Sequence, residues 1–182
     1  MTEKEKSLEA VAKPHGAPAA PRQIPVKCEK DVRSPAKPEG FAITSLYEKL
    51  RAVYSKTTVE HILHPCNDGA VSVPDGYAET KSDCGETMKI WLKLDRDRIR
   101  QTGFWTNGCA ATIACGSMAT ELAKDESVAE AMSVDAREIA DALINLPEGN
   151  FHCAVLAAQA LRAALINCLD ISREPWKKYY RK

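Results

Sequence analysis

The clearest alternation of hydrophobic and polar residues in this chain lies in the stretch 87–94. Met88, Ile90, Leu92 and Leu94 occupy every second position of this stretch, and three of its other four residues are polar or charged. A period of two residues is typical of a β-strand that buries one face. Two further strand-like stretches, 77–81 and 99–106, flank it with short connections. The sequence therefore predicts three consecutive strands that pair as an antiparallel meander.

The segment before the strands has helical spacing instead. Its apolar residues recur three and four positions apart, at Leu46, Leu50, Val53 and Tyr54. Polar residues at 55–58 interrupt this pattern before Val59 and Ile62 resume it. Pro65 ends the region, because proline disfavours helical backbone in the residue before it. We therefore predict a helical region that is interrupted once.

The segment after the strands reads as a series of helices. The stretches 110–124 and 151–169 predict two long helices. Between them, 127–130 and 135–138 have the spacing of capping boxes, each of which opens a helix. Because strands come first and most helices afterwards, we predict an α+β fold. It consists of a three-stranded antiparallel sheet packed against a layer of about four to five helices.

The two ends of the chain differ in composition from this folded part. Residues 1–40 are rich in Pro, Lys, Glu and Ala and poor in large apolar residues. This composition predicts a disordered tail, because it cannot bury enough apolar area to offset the entropy of ordering. Residues 41–170 form the predicted folded domain. Residues 171–182 are basic and are predicted to be a mobile or loosely docked tail.

Charge and apolar content limit the classes of function that the chain can have. The chain has 182 residues with 25 basic and 25 acidic side chains. This balance argues against a nucleic-acid-binding surface. No apolar run approaches the roughly 18 residues of a membrane-spanning helix, and the first residues lack the apolar core of a signal peptide. We expect a cytoplasmic protein that binds neither nucleic acid nor membrane.

Seven cysteines are many for a chain without an export signal. In a reducing compartment, such a count favours metal binding or thiol chemistry over disulfides. Cys84, Cys109 and Cys153 share a setting, because each lies at the predicted boundary of a strand or a helix. We predict that these three thiols meet with His152 in space. Together they form a Cys3His set that is suited to Zn²⁺ or to iron with sulfide.

The settings of these ligands suggest how they differ. Cys109 and Cys153 lie at predicted helix N-termini, where free N–H groups and the helix dipole favour a thiolate. Cys109 directly follows the last strand, so we expect it to be the fixed ligand. Cys84 and Cys153 should come from more exposed connections and be the mobile ones. Because 24 and 43 residues separate the three cysteines and no Cys-x-x-Cys pair is present, their spacing alone is a weak signal.

Three short segments that contain these cysteines resemble the IscU/NifU-type iron–sulfur cluster scaffold family. Cys84-Gly85-Glu86 is similar to its Cys-Gly-Asp motif, and the segment 108–114 is similar to its Gly-Cys-x-x-x-Ile-Ala segment. His152-Cys153 follows a Leu-Pro segment and is similar to the family's His-Cys pair. The stretch 61–69 resembles its early Asn-Pro-Arg-Asn-x-Gly turn. The resemblance covers about residues 44–170 and matches all three cysteines in order and spacing.

The resemblance implies a scaffold on which a [2Fe–2S] cluster is assembled from iron and sulfur and then transferred to apo-proteins. It implies a cysteine desulfurase as sulfur donor, apo iron–sulfur proteins as acceptors, and a cluster-bridged homodimer as one oligomeric state. The ligands would be Cys84, Cys109, His152 and Cys153. Glu86 would be a labile fourth ligand or would help to admit iron. An empty thiolate site of this kind also scavenges Zn²⁺ during purification.

Some residues depart from the family pattern. The acidic residue of the family is usually Asp, whereas Glu86 is longer by one methylene. The Leu-Pro-Pro-Val-Lys segment that a dedicated Hsp70-type chaperone recognises is Leu-Pro-Glu-Gly-Asn at 146–150, which weighs against that chaperone as a partner. Cys66 replaces the arginine of the early turn. The presence of His152, and the lack of a long insertion between the first two ligand cysteines, argue against the zinc-dependent SufU-like branch.

The remaining cysteines have other expected roles. Cys115 lies six residues after Cys109 on one predicted helix, about 120° around its axis, so the two thiols do not easily share a ligand set. Cys115 and Cys168 are predicted core residues. Cys66 would be a spare thiol for persulfide transfer if its turn folds over the site. Cys28 lies in the predicted disordered tail.

Two other functions fit the same residues. The chain could be a Zn-dependent, persulfide-accepting sulfurtransferase that works with a cysteine desulfurase and builds no cluster. It could also be an α+β interaction domain whose cysteines are structural. A tight, stoichiometric Zn²⁺ that survives iron reconstitution would favour the first of these. Unchanged partner binding after replacement of all three cysteines by serine would favour the second.

Overall fold

A computed structural model describes residues 41–144 and 146–173 of the chain, with side chains from residue 46 onward. The predicted disorder of residues 1–40, Cys28 and the predicted tail from residue 174 lie outside the described residues. The helices and strands are α1 Phe41–Arg51, α2 Lys56–Leu63, β1 Gly76–Lys81, β2 Thr87–Asp95, β3 Arg98–Thr106, α3 Ala110–Ala123, α4 Val128–Ala131, α5 Ala136–Ala142 and α6 Phe151–Arg173. A short 3-10 turn, Glu148–Asn150, leads into α6.

The three strands form one antiparallel sheet in the order β1-β2-β3, so the predicted meander is confirmed. Ile90 in β2 pairs with Phe104 in β3, and the register shifts just before Leu94. The alternating residues of β2 point to one side, and the sheet buries this face completely at Met88, Ile90 and Leu92. Leu94 lies beyond the register shift and is only partly buried.

Two long helices cover the buried face of the sheet. α6 packs on β1 and β2, and α3 packs between α6 and β3. α3 is rich in alanine and buried on nearly all sides, which lets its backbone approach the sheet closely. Gly116 makes this approach close, because a Cβ there would lie 2.6 Å from the Phe104 ring. Gly76 has the same role between β1 and α6, where a Cβ would collide with Cys168.

α6 runs to Arg173, four residues past its predicted end, because Ile171 in the additional turn is also buried. The first three residues of the predicted tail 171–182 are therefore helical. By length and composition alone, Glu148–Arg173 is apolar enough to cross a membrane, but half of its most apolar stretch is buried inside the protein. Such burial is typical of the core helix of a globular domain.

α4 and α5 begin at their predicted caps, whereas α2 begins at Lys56, inside the polar stretch that was predicted to interrupt the helical region. Ser55 caps α2 by accepting a hydrogen bond from the Thr58 N–H, and this cap separates α2 from α1. Ser127 and Glu130 form the predicted reciprocal capping box of α4, and Asp135 caps α5. The α+β prediction is confirmed. The described part of the chain has six α-helices rather than four to five. The polar break divides the first helical region into α1 and α2, and the short α4 is a helix of its own.

The turn after α2 packs against the middle of α3. The Cys66 N–H donates to the Ser117 hydroxyl at 2.8 Å, and His61 Nδ1 lies 2.7 Å from the same oxygen. The turn also extends along β3, because the Phe104 N–H donates to the Asn67 carbonyl. These contacts leave the N-terminal turn of α3 uncovered by this segment, and other elements approach it there.

Candidate metal centre

The predicted ligands meet at one end of the sheet. The turn between β1 and β2 carries Cys84 and Glu86, β3 leads into Cys109, and the first turn of α6 carries His152 and Cys153. Their ligand atoms form two sets of three, and within each set all atoms lie within 4.8 Å of one another. One set is Cys84, Glu86 and His152, and the other is Glu86, Cys109 and Cys153. Glu86 belongs to both sets and links them into one centre.

The turn that carries Cys84 is short and closed by its own hydrogen bonds. The Ser82 N–H donates to the Glu86 carbonyl at 2.8 Å, and the Gly85 N–H donates to the Ser82 carbonyl at 3.0 Å. Gly85 has a φ of +88°, which only glycine adopts without steric cost. Cys84 is exposed, with its sulfur 2.9 Å from the Ser82 hydroxyl. The turn thus presents this thiol to solvent, as expected for an exposed connection.

Cys109 is the N-cap residue of α3, directly after β3. The strand end before it is tied down by Asn107, whose side-chain oxygen accepts a hydrogen bond from the Thr87 N–H at 2.7 Å. Cys109 has an extended backbone, and its side chain makes no capping hydrogen bond. Its sulfur is therefore not used to satisfy the helix N-terminus and is available as a ligand.

Glu86 caps α3 in place of Cys109. Its Oε1 accepts a hydrogen bond from the Cys109 N–H at 2.9 Å, and its Oε2 accepts one from the Thr112 hydroxyl at 2.8 Å. Partial burial pushes the pKa of Glu86 up, but these hydrogen bonds and the nearby His152 outweigh burial and hold the pKa below its usual value. The helix dipole favours an anion at this position as well. Glu86 is therefore ionised at neutral pH and able to bind a cation.

Cys153 does not lie in an exposed connection, so that prediction is wrong. Its side chain is fully buried, because α6 already packs into the core at its first turn. Cys153 Sγ lies 3.9 Å from Cys109 Sγ and 3.4 Å from His152 Nε2. Of the two neighbouring thiols, Cys109 is the exposed one. Cys153 therefore belongs to the buried side of the centre and the turn of Cys84 to its exposed side, and the mobility of the Cys84 turn stays a prediction.

Residues 53–174 match the model of the NifU-like N-terminal domain family, which is about two thirds of the chain. The chain belongs to this family. The family assignment and the predicted resemblance agree, and the matched segment contains all five residues of the centre. That these residues of the NifU-like domain ligate a metal stays a prediction.

Named relatives of this NifU-like domain cover most of the same region. The iron–sulfur cluster assembly scaffold protein IscU 1 of Archaeoglobus fulgidus is 40% identical over 116 residues, which are 63% of this chain and 76% of the relative. The iron–sulfur cluster assembly enzyme IscU of Drosophila melanogaster is 37% identical over 119 residues, or 63% of this chain and 77% of the relative. The nitrogen fixation protein NifU of Azotobacter chroococcum is 36% identical over 117 residues, and 63% of this chain spans only 38% of it.

A solved structure supports the fold. The SUF-system iron–sulfur cluster assembly scaffold protein of Fervidobacterium islandicum superimposes with a TM-score of 0.52 at 20% identity. The match covers 63% of this chain and 98% of that chain. At this identity the similarity shows the shared fold, and function is argued below from the residues of the centre.

Burial also sets the acidity of the NifU-like centre. It raises the pKa of the Cys153 thiol to about 12, although a hydrogen bond with Thr112 lowers it and the neighbouring Cys109 raises it again. The expectation that the N-terminus of α6 favours a thiolate is therefore wrong for Cys153 before metal binds, because desolvation dominates. A metal ion bound by Cys153 would have to displace this proton, so its binding would release protons and would weaken on acidification.

The other described cysteines lie outside the centre. Cys115 and Cys168 are core residues, as predicted, with 0% and 2% of their surface exposed. Cys66 is 3% exposed and belongs to the turn that packs on Ser117. Ser117 is eight residues after Cys109, about 12 Å along the helix axis. The turn of Cys66 therefore does not fold over the centre, and the condition for a spare transfer thiol is not met.

Sequence reasoning missed two residues of the centre. Asn107 holds the end of β3 in place before Cys109. Thr112 is fully buried, and its hydroxyl lies 2.8 Å from Glu86 Oε2 and 3.3 Å from Cys109 Sγ. For Thr112, the sequence offered one signal: it is a polar, β-branched residue in the first turn of an alanine-rich helix, three positions after a ligand cysteine.

Proposed function

We propose that this chain is a scaffold on which an iron–sulfur cluster is assembled and from which the cluster is passed to acceptor proteins. The observation that carries the proposal is the convergence of three thiols, an imidazole and a carboxylate at one end of the sheet. Relatives named for cluster assembly share 37% and 40% identity with the region that contains this centre. The chain acts as a carrier, because its site residues hold cargo rather than convert a substrate.

Cys109 and Cys153 would bind the first metal ion. Two thiolates on one tetrahedral metal, each about 2.3 Å from it, have sulfurs about 3.8 Å apart. The distance of 3.9 Å between the two sulfurs fits this geometry. One thiol belongs to the N-cap of α3 and the other to the first turn of α6. Packing of these two core helices therefore fixes the pair in advance.

Cys84, Glu86 and His152 would complete the coordination from the exposed side. Their ligand atoms lie within 4.8 Å of one another, and Cys84 and His152 are exposed. Three thiolates with one exchangeable ligand suit a [2Fe–2S] cluster that must later be released. Glu86 is our choice for the exchangeable ligand, because the N-terminus of α3 also binds its carboxylate. Zn²⁺ suits the same donors and is expected in protein purified in air.

We infer a cysteine desulfurase as sulfur donor and apo iron–sulfur proteins as acceptors. The exposed turn of Cys84 supports this, because both partners need direct access to the ligands. A cluster-bridged homodimer and a cytoplasmic location stay predictions. The altered segment 146–150 still weighs against docking of an Hsp70-type chaperone.

Anaerobic reconstitution tests the proposed function. The protein is incubated with ferrous iron, cysteine, a cysteine desulfurase and a dithiol reductant, which supplies the two electrons that convert each persulfide sulfur to sulfide. Visible absorbance, bound iron and bound sulfide are measured. We expect wild-type protein to bind iron and sulfide and Cys109→Ala to lose both. Wild-type protein without either, or Cys109→Ala that behaves like wild type, would overturn the proposal. A stoichiometric Zn²⁺ that persists through reconstitution would point to the persulfide-accepting sulfurtransferase instead.

A further inference from the structure

Thr112 lies where three of the proposed ligands meet. Its side chain is fully buried in the first turn of α3. The hydroxyl oxygen is 2.8 Å from Glu86 Oε2 and 3.3 Å from Cys109 Sγ, and Cys109 Sγ lies 3.9 Å from Cys153 Sγ. One hydroxyl therefore contacts both the carboxylate of the centre and one of its thiols.

Gly108 holds this hydroxyl in place. A Cβ at Gly108 would lie 2.7 Å from Thr112 Cβ and 2.8 Å from Thr112 Oγ1, so the loop backbone lies directly against the threonine. A β-branched side chain in a helix also has few χ1 rotamers available. Backbone contact and rotamer preference together keep the hydroxyl between the ligands.

The hydroxyl has one proton to donate and several acceptors around it. Its acceptor is Glu86 Oε2, 2.8 Å away, so the two groups form a charge-assisted hydrogen bond. The other carboxylate oxygen of Glu86 accepts a hydrogen bond from the Cys109 N–H at 2.9 Å. Two hydrogen bonds therefore hold the Glu86 carboxylate at the N-terminus of α3.

We propose that Thr112 is a positioning residue that competes with the bound metal for the Glu86 carboxylate. By holding Oε2 at the N-terminus of α3, it raises the free-energy cost of moving Glu86 onto a metal. This keeps the fourth ligand exchangeable, which a carrier needs at release. The inference rests on the proposed function, because it takes Glu86 as a ligand of the cargo.

Cobalt binding tests this role without a cluster. Co²⁺ bound by thiolates shows sulfur-to-metal charge-transfer absorption, and its loss after addition of excess EDTA gives a dissociation rate. We expect Thr112→Val to slow this dissociation by about threefold to tenfold, the range for one partly exposed hydrogen bond to a carboxylate. Thr112→Ser keeps the hydroxyl and should release Co²⁺ at the wild-type rate. In a Glu86→Gln background, Thr112→Val should change the rate by less than about twofold.

The outcomes separate the inference from the function it rests on. Faster release from Thr112→Val would show that the threonine supports Glu86 as a ligand instead of competing with the metal, which would overturn the inference. An equal change in both backgrounds would show that the threonine does not act through Glu86. If Thr112→Val does not fold, Thr112→Ala is compared with Thr112→Ser, which differs from it by the hydroxyl alone. Wild-type protein without the charge-transfer band would refute the thiolate site itself. A normal band with no effect of Thr112 would refute only the inference about Thr112.

Discussion

The N-terminal turn and the middle of helix α3 carry similar residues and have opposite surroundings. Each of the two regions contains a cysteine, Cys109 at the N-cap and Cys115 about 1.7 turns later. Cys109 is exposed and meets Glu86 and Cys153, whereas Cys115 is 0% exposed. The N-terminal turn lies beside two chain connections, and the middle of the helix is covered by β3 and by the turn after α2. The difference shows that burial in the tertiary structure, rather than helix composition, decides what a thiol does.

The pKa values of the ionisable groups also differ between the N-terminal turn and the middle of α3. Burial raises the pKa of the Cys115 thiol far above its usual value, and the nearby Cys153, Cys109 and Glu86 raise it further. Cys115 is thus a neutral, apolar side chain at any physiological pH. At the N-terminal turn of α3, partial burial raises the pKa of Glu86, but hydrogen bonds from Cys109 and Thr112 outweigh burial and lower it. One end of the helix therefore stabilises charge, and its middle excludes charge.

The largest effect should separate the two cysteines of α3. Cys109→Ala should weaken Co²⁺ binding by at least about 100-fold, because loss of a residue that only supports a metal ligand already costs about 10–100-fold. Cys115→Ala should leave Co²⁺ affinity unchanged and lower the free energy of unfolding by about 0.5–1.5 kcal/mol, as for one buried methyl group. Cobalt titration and urea unfolding of both variants measure this. Loss of metal binding in Cys115→Ala would show that the middle of α3 does not differ in function from its N-terminal turn.

The next largest effect concerns the packing of the middle of α3 against the sheet. In Gly116→Ala, the new Cβ would lie 2.6 Å from the Phe104 ring, and both groups are buried against the sheet. We expect a loss of about 1–3 kcal/mol in the free energy of unfolding from this overpacking. Gly149→Ala is the matched control, because nothing lies within 4 Å of its Cβ position. The two variants are compared by urea unfolding, and equal stability would show that α3 is free to shift away from β3.

The smallest effect is a pH dependence beneath the middle of α3. His61 is 1% exposed and contacts Ser117, and no described residue bonds to its Nε2. Burial lowers the pKa of His61, and the neighbouring Glu60 offsets this only in part. The unfolded chain therefore binds this proton more readily, so stability falls as pH drops below about 6.5 and rises again towards neutrality.

Urea unfolding between about pH 7.5 and pH 5 measures this effect for wild type and His61→Gln. The stability of wild type should decline more steeply below about pH 6.5, with a difference in slope of at most about 1.4 kcal/mol per pH unit, the value for one proton. The Gln variant lacks the titrating group, while carboxylates elsewhere titrate in both proteins. Parallel curves would mean that the folded protein accommodates a charged His61.

Local patterns predicted the parts of the centre that depend on neighbours in sequence. The period of two in 87–94 predicted the buried face of β2, and Ser127 and Asp135 marked two helix starts that the structure contains. The cysteines at element boundaries were recognisable because strand and helix signals end beside them. The motif resemblance added their order, and the structure brings all five predicted residues to one end of the sheet.

The burial of side chains and their long-range hydrogen-bond partners could not be predicted from local patterns. Cys153 was expected to be exposed, but the packing of α6 at its first turn buries it. Glu86 could be named as acidic and near the site, but not as the cap of α3, which depends on a turn 23 residues away in sequence. Thr112 was missed because its importance comes from its hydrogen bond to Glu86, which lies on a separate turn 26 residues away in sequence.

The sequence by itself determined the strands, the main helices, the family resemblance and the choice of three cysteines from seven. These follow from local periodicity, capping and short motifs, which act over a few residues. The tertiary structure decided which thiol is exposed, which carboxylate caps α3 and which hydroxyl stands between them. Burial and hydrogen bonding at the meeting point of a turn and two helices set these properties, because desolvation and partner distance depend on elements far apart along the chain.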